Sequence, residues 1–307
     1  MTRSRLRAGA VLLVAAISAL IIVPQAAELG EIGAALRQTS WPWVAAAALA
    51  SAATYPMAAI QVMGAARARL PPCRTTLAQV ASAVPNLVAP GGIGGAGLNV
   101  RYLERCGLDR AEAVAAVTLA NIAGFVVHVA ALAVIGVLVT GTAIAPVREP
   151  PRWVLLAAVA GLAALAGAVF WSPLGGRRLP APVREMARSF LAAVRRPRQA
   201  ALLLAGSAGV TAGYVIALWC SLRAFGAQLP AVQGAAAYLA GASVGAISPT
   251  PGGLGAVEAT LVATLARFGV AGGTAVVSVV VFRFVTYWLP ALPGAVAIRE
   301  LRRRRLL

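Results

Sequence analysis

The sequence predicts an all-α polytopic membrane protein with about six full spans and two re-entrant helical hairpins related by an inverted repeat. Of its 307 residues, 60% are hydrophobic and only 12% are charged, whereas a soluble domain carries about 25% charged residues. Apolar stretches recur along the chain, and two of them are interrupted by Pro-Gly-Gly. Because no long polar stretch divides the chain, we predict a single integral membrane domain over residues 1–307.

Six apolar stretches come close to or exceed the roughly 20 residues that a membrane-spanning helix needs. The predicted spans are residues 8–23, 41–63, 113–139, 153–171, 200–222 and 272–298. The first stretch follows three arginines and also resembles a secretory signal peptide cleaved near residues 25–27. We favour an uncleaved span, because the apolar run is long for a signal peptide.

The two interrupted stretches, residues 77–100 and 231–265, contain matching motifs. Pro90-Gly91-Gly92-Ile93-Gly94 is matched 161 residues later by Pro251-Gly252-Gly253-Leu254-Gly255. We therefore expect a first half at about 41–140 with a hairpin at 77–110, and a second half at about 200–298 with a hairpin at 231–267. Three predicted spans separate the two motifs, so the halves are expected to be inverted, as in many secondary transporters. The alternative is that each motif is an ordinary loop between two spans.

The net charge of +18 comes entirely from arginine, because the chain has 27 arginines and no lysine. Such a charge also occurs in nucleic-acid-binding proteins, but in this chain the arginines flank apolar stretches, and we expect no nucleic-acid partner. If the N-terminus is cytoplasmic and both hairpins are re-entrant, 21 arginines lie on the cytoplasmic side and five outside. The positive-inside rule then predicts cytoplasmic termini and a cytoplasmic basic loop at 174–199. The arginine, alanine and glycine bias indicates a bacterial source and hence the inner membrane.

Metal-ligating and catalytic patterns are missing from the sequence. Cys73, Cys106 and Cys220 have no metal-ligand spacing, and His128 is the single histidine. We therefore expect no metal site and no cofactor. Since the sequence contains no paired carboxylates and no nucleophile–base motif, we do not expect an enzyme.

Two charged residues lie inside the predicted membrane region. Glu258 follows the second motif, and Arg283 lies far from either end of its span. A charge at the bilayer centre costs at least roughly 2.5 to 3.5 kcal/mol, so we expect the two to approach each other or to line one polar cavity. A purely structural ion pair is the alternative. The half-helix N-termini at the breaks are expected to offer N–H groups to a lipid phosphate.

In the first half, the corresponding polar residues are Asn86, Asn99, Arg101 and Glu104. Arg101 and Glu104 are three positions apart and are able to share a helix face. They contribute either to the lipid site or to a salt bridge at the membrane interface. Asn121, opposite Arg283 in the repeat, is expected to make helix-packing hydrogen bonds.

These residues resemble the flippase-type membrane domain of lysylphosphatidylglycerol synthases. The resemblance rests on the segment 248–258, then Arg283, Tyr287-Trp288-Leu289-Pro290 and Gly294, and less closely on the first motif through Arg101 and Leu103. It implies that the domain moves an aminoacylated phospholipid between leaflets. The candidate lipid-binding residues are Pro251, Gly252, Gly253, Gly255, Glu258, Arg283, Tyr287, Pro90, Gly91, Gly92 and Arg101. The sequence lacks the soluble aminoacyl-transfer domain of the full synthases, so we expect no synthase activity.

The function expected from these features is lipid translocation. The cargo is a phospholipid, an aminoacylated phospholipid or a lipid-linked glycan, so the expected partners are anionic or aminoacylated phospholipids or a polyprenyl-linked glycolipid. The alternative is a non-transporting membrane partner that docks a lipid-modifying synthase or glycosyltransferase through the basic loop at 177–198.

Overall fold

The computed structural model describes residues 39–89, 92–140 and 196–307, and the elements in these ranges are helical. The helices are α1 (Trp41–Ala65), α2 (Pro72–Asn86), α3 (Ile93–Arg105), α4 (Arg110–Thr140), α5 (Pro197–Ala224), α6 (Ala231–Ile247), α7 (Ala256–Arg267), α8 (Gly272–Arg283) and α9 (Ala291–Arg303). A π-helical segment, Phe284–Trp288, joins α8 to α9.

Four of the helical runs are long and apolar enough to cross a membrane. They are α1, α4, α5 and the continuous run Gly272–Arg303. The shortest, α1, has 25 residues, which at about 1.5 Å per residue exceeds the roughly 30 Å of hydrocarbon. Four of the six predicted spans are thereby confirmed as membrane-length helices. The predicted spans at 8–23 and 153–171, and most of the basic loop at 174–199, lie outside the described residues.

Each interrupted stretch forms a pair of shorter helices. The first pair, α2 and α3, has 15 and 13 residues, and the second pair, α6 and α7, has 17 and 12. The first pair begins at Pro72, earlier than the predicted residue 77. The first turn of α2 is polar, so hydropathy does not include it in the apolar stretch. The Thr75 hydroxyl donates to the Pro71 carbonyl at 2.9 Å and completes that turn.

Both pairs are antiparallel hairpins, but different contacts hold them together. In the first, Gln79 Nε2 donates to Asn99 Oδ1 at 2.7 Å, and the hydroxyls of Thr75 and Tyr102 lie 3.0 Å apart. In the second, a Cβ added at Gly241 would approach Leu261 to 2.9 Å, so α6 and α7 pack closely through apolar contacts. Within the described residues, the order long helix, hairpin, long helical run therefore occurs twice.

The chain divides into two compact units, and each takes residues from both halves of the sequence. In the described ranges, the first unit comprises 39–52, 81–89, 92–95 and 213–295, and the second comprises 53–80, 96–140, 196–212 and 296–307. The core of the first unit is aliphatic and aromatic. Its buried members include Leu218, Leu222, Leu261, Leu265 and Phe282.

In the second unit, glycines bring α1 and α5 into backbone contact. A Cβ at Gly64 would meet the backbone of Leu203, and one at Gly206 would meet the backbone of Gln61. Helices approach this closely only where a side chain is missing. Gln61 also donates from Nε2 to the carbonyl of Ala120 in α4 at 2.7 Å, so one polar side chain joins two long helices.

The π-helical segment leaves one carbonyl without its helical partner. Leu289 N–H donates to Phe284 O at 2.8 Å, five residues back instead of four. The Val285 carbonyl would then need the N–H of Pro290, which proline lacks. The buried hydroxyl of Ser51 in α1 donates to Val285 O at 2.8 Å instead. Irregular backbone in a membrane segment is tolerated where a neighbouring helix satisfies it in this way.

Candidate functional site

The second Pro-Gly-Gly motif forms a tight turn between α6 and α7. Gly252, Gly253 and Gly255 have φ angles of 59°, 66° and 85°, which side-chain-bearing residues rarely adopt. The Thr250 hydroxyl donates to the Leu254 carbonyl at 2.9 Å and closes the turn. The glycines are therefore required by the backbone conformation of the turn itself.

Glu258 lies in the first turn of α7 and is buried. Its Oε2 accepts the N–H of Gly255 at 2.7 Å, and its Oε1 accepts Arg283 Nε at 2.6 Å. A glutamate three residues after the N-cap commonly accepts this N–H. Both carboxylate oxygens are thus engaged, one in capping α7 and the other in an ion pair.

Arg283 is the partner of that ion pair and also holds the turn. Its Nη2 donates to the Gly252 carbonyl at 2.9 Å, and its guanidinium carbon lies 4.6 Å from the Tyr287 ring centroid. The Arg283 and Glu258 side chains are 12% and 10% exposed. The prediction that these two charges approach each other is confirmed, while their role in lipid binding stays a prediction.

Tyr287 connects the second break to the first. Its ring fills the space beside Gly252, where an added Cβ would fall on the ring atoms. Its hydroxyl lies 3.3 Å from the Leu87 carbonyl and 3.4 Å from the Asn86 carbonyl, at the end of α2. All four residues belong to the first compact unit, so the two breaks meet at one tyrosine.

The first break has a different cap. Asn86 Oδ1 accepts the N–H of Gly95 at 2.7 Å, and Gly92 has a φ of 72°. Pro90 and Gly91 lie outside the described residues. Arg101 is exposed on α3 and belongs to the second unit. Within the described residues Arg101 and Glu104 form no ion pair, so the alternative of a salt bridge between them is not supported, while a role of Arg101 in the lipid site stays a prediction.

One N–H group at each half-helix N-terminus is already occupied, and the binding of a lipid phosphate by the others stays a prediction. At α7 the Gly255 N–H is taken by the Glu258 carboxylate, and at α3 the Gly95 N–H is taken by the Asn86 side chain. The first N–H groups of a helix have no helical acceptor, and a nearby side chain from the same hairpin satisfies one of them at each helix here. The arginine is therefore a better candidate for an anion ligand than these backbone groups.

A cavity of about 220 Å³ lies beside the ion pair. It is lined by Tyr214, Tyr238, Ala242, Gly245, Gly252, Val257, Leu261, Phe282, Arg283, Thr286 and Tyr287. Tyr214 and Tyr238 stack with ring centroids 5.8 Å apart, and Phe282 meets Tyr238 edge-on at 6.3 Å. The cavity is thus apolar and aromatic, with a guanidinium at its edge.

Several residues of the site and its surroundings could not be identified from the sequence. Tyr214 and Ser51 lie in helices remote from both motifs, whereas Tyr238 lies in α6, the helix before the second motif. Nothing in their local spacing marks these three residues. The capping role of Glu258 did have a signal, namely a glutamate three residues after a glycine that follows a turn. The π-helical segment had a weaker signal in the sequence, namely Pro290, which lacks the N–H that a helix would use as a donor.

In the part of the chain that the structure describes, four membrane-length helical runs and a buried ion pair beside a helix break define a multi-pass helical membrane protein. The chain belongs to the family described as the lysylphosphatidylglycerol synthase TM region, whose model matches residues 9–294. No curated protein matches the chain. Family membership indicates a membrane protein involved in lipid modification or translocation.

Proposed function

We propose that the chain is a flippase-like lipid translocase whose cargo head group enters the cavity beside Arg283. The observation that carries the proposal is the Glu258–Arg283 pair, which lies next to a helix break and a cavity. Arg283 belongs to a membrane-length helical run. Charges in such a position are costly and mark substrate pathways in membrane proteins. Arg283 is the twelfth residue of the run Gly272–Arg303, or about 17 Å along it.

The lengths of the hairpin helices support re-entrant hairpins. The longest, α6, has 17 residues, or about 26 Å, against roughly 30 Å of hydrocarbon. A helix this short turns back before it crosses. Together with the repeated element order, this supports two inverted hairpins whose tips approach the middle of the membrane.

The position of the arginines supports cytoplasmic termini in a bacterial inner membrane. Thirteen of the sixteen arginines in the described residues belong to the second unit, whereas Arg223, Arg267 and Arg283 belong to the first. The C-terminal ends of α1 and α9 lie next to Arg67 and Arg302, so the positive-inside rule assigns both ends to the cytoplasm. Accessibility of single cysteines introduced at the C-terminus to an impermeant thiol reagent tests this. Labelling from outside intact cells contradicts it.

The transport proposal is tested by leaflet-resolved movement of labelled phospholipids in proteoliposomes. We expect Arg283→Ala and Glu258→Gln to slow movement at least about tenfold, because each removes one charge of the pair. Arg267→Ala removes an exposed arginine at the end of α7 and is the matched control. If lipid movement is unchanged in both pair variants, the assignment of these residues fails.

The second candidate function, a docking partner for a lipid-modifying enzyme, predicts a different result. Co-purification with a synthase or glycosyltransferase would then persist after both charges of the pair are removed, and the purified protein alone would move no lipid. Neither proposal assigns a catalytic step, a metal or a cofactor to this chain. The partners proposed are membrane lipids and, for the second candidate, the enzyme.

A further inference from the structure

The hydrogen bonds of the ion pair leave its two members with unequal capacity for a ligand. Both oxygens of Glu258 are engaged, with Gly255 N–H and with Arg283 Nε. Arg283 uses Nε and Nη2, and its Nη1 group donates to no acceptor among the described residues. A ligand therefore meets an available guanidinium donor, whereas each oxygen of the carboxylate already accepts one hydrogen bond.

The wall of the cavity also favours an anionic ligand over a cationic one. Of the described residues that line the cavity, Arg283 alone carries a charge, and Glu258 does not line it. Aromatic faces attract cations, but one face of Tyr287 is covered by Arg283, and Tyr214 and Tyr238 stack on each other. A cationic group in this cavity would meet a like charge, whereas an anion would meet an opposite one.

The size of the cavity restricts the ligand to a small group. Its volume of about 220 Å³ is roughly that of seven water molecules in the liquid. It is below the roughly 300 to 1,000 Å³ of sites that enclose a drug-sized ligand. A head group therefore fits without its acyl chains.

We infer that this cavity selects an anionic phosphodiester head group and rejects a cationic aminoacyl head group. The inference rests on the proposed function and narrows its cargo. Arg283 Nη1 donates to a phosphate oxygen, and the aromatic wall contacts the rest of the head group. The ammonium group of an aminoacyl ester would meet no carboxylate among the described residues that line the cavity.

The test is a binding comparison on the full chain in detergent. Short-chain phosphatidylglycerol, its lysyl ester and water-soluble glycerophosphoglycerol are each titrated, and the rise in the thermal unfolding midpoint gives an apparent affinity. We expect phosphatidylglycerol to bind at least about tenfold more tightly than the lysyl ester, because complementary charge confers selectivity. Equal or tighter binding of the lysyl ester overturns the inference. Equal protection by the soluble compound overturns the assignment to a lipid.

Variants show whether the selectivity comes from this cavity. Arg283→Lys retains the charge and is expected to keep the preference, Arg283→Ala to abolish it, and Arg267→Ala to leave it unchanged. The same lipids in the leaflet-resolved assay separate the two proposals. Selective binding without movement contradicts the translocase proposal and supports the head-group inference. Movement of both lipids at equal rates supports the translocase proposal and contradicts the head-group inference.

Discussion

The hydroxyl of Tyr287 lies 3.3 Å from the carbonyl oxygen of Leu87, although 200 residues separate them in the chain. Leu87 follows the last turn of α2, and Tyr287 lies in the π-helical segment after Arg283. One side chain thus joins the end of a half-helix in the first hairpin to the ion pair of the second. In the proposed translocase, a displacement of the backbone at either break is therefore expected to displace the other break through Tyr287.

Removal of the Tyr287 hydroxyl tests this connection. Tyr287→Phe keeps the ring beneath Arg283 and loses the bonds to the Leu87 and Asn86 carbonyls. Because those bonds are long, at 3.3 and 3.4 Å, we expect a loss of about 0.5 to 1 kcal/mol in unfolding free energy. Tyr287→Leu also removes the ring and is expected to cost more. Chemical denaturation in detergent gives both values, and equal losses contradict separate roles for hydroxyl and ring.

Gly252 has no room for a side chain. Gly252→Ala places a methyl group on the Tyr287 ring at a φ of 59°, where a Cβ alone costs roughly 1 to 2 kcal/mol. We expect a loss of at least about 2 kcal/mol in stability, with displacement of the ring adding to the backbone cost. Gly97→Ala is the control, because a Cβ there meets nothing within 4 Å. A control as damaging as the Gly252 variant would refute this explanation.

The Glu258–Arg283 pair is expected to show strong coupling. Glu258→Gln leaves Arg283 buried without a counter-charge, and breaking a buried pair from one side costs about 3 to 5 kcal/mol. The double variant Glu258→Gln, Arg283→Gln carries no charge, so we expect it to be more stable than Glu258→Gln alone. A double-mutant cycle from thermal or chemical unfolding measures the coupling. Simple additivity would mean that the two side chains do not interact appreciably.

Ser51 is expected to matter through the backbone of another helix. Ser51→Ala leaves the Val285 carbonyl without a donor, which costs about 1 to 3 kcal/mol. Ser207→Ala is the matched control: Ser207 is equally buried, but its hydroxyl bonds to the Leu203 carbonyl four residues back, which the helix already satisfies. We expect the control to lose less than half as much stability. Comparable losses would indicate that Val285 O finds another donor.

Composition and local spacing are enough to establish the class of protein, because hydrophobic length and the distribution of arginines depend on the solvent around each helix and not on its neighbours. The sequence also located both breaks, since glycine and proline act on the local backbone, and it singled out Glu258 and Arg283, because an isolated charge in an apolar run needs a partner. The start of the first hairpin was placed five residues late, where a polar first turn conceals the helix.

The contacts that those charges make beyond each other depend on how the helices pack. That Arg283 holds the Gly252 carbonyl, that Tyr287 reaches Leu87 and that Ser51 satisfies Val285 all depend on contacts between segments far apart in the chain. No local spacing encodes such contacts, because packing sets which side chains come within hydrogen-bonding distance. The Pro-Gly-Gly breaks were visible as composition, whereas their meeting at a single tyrosine is a property of the packed helices.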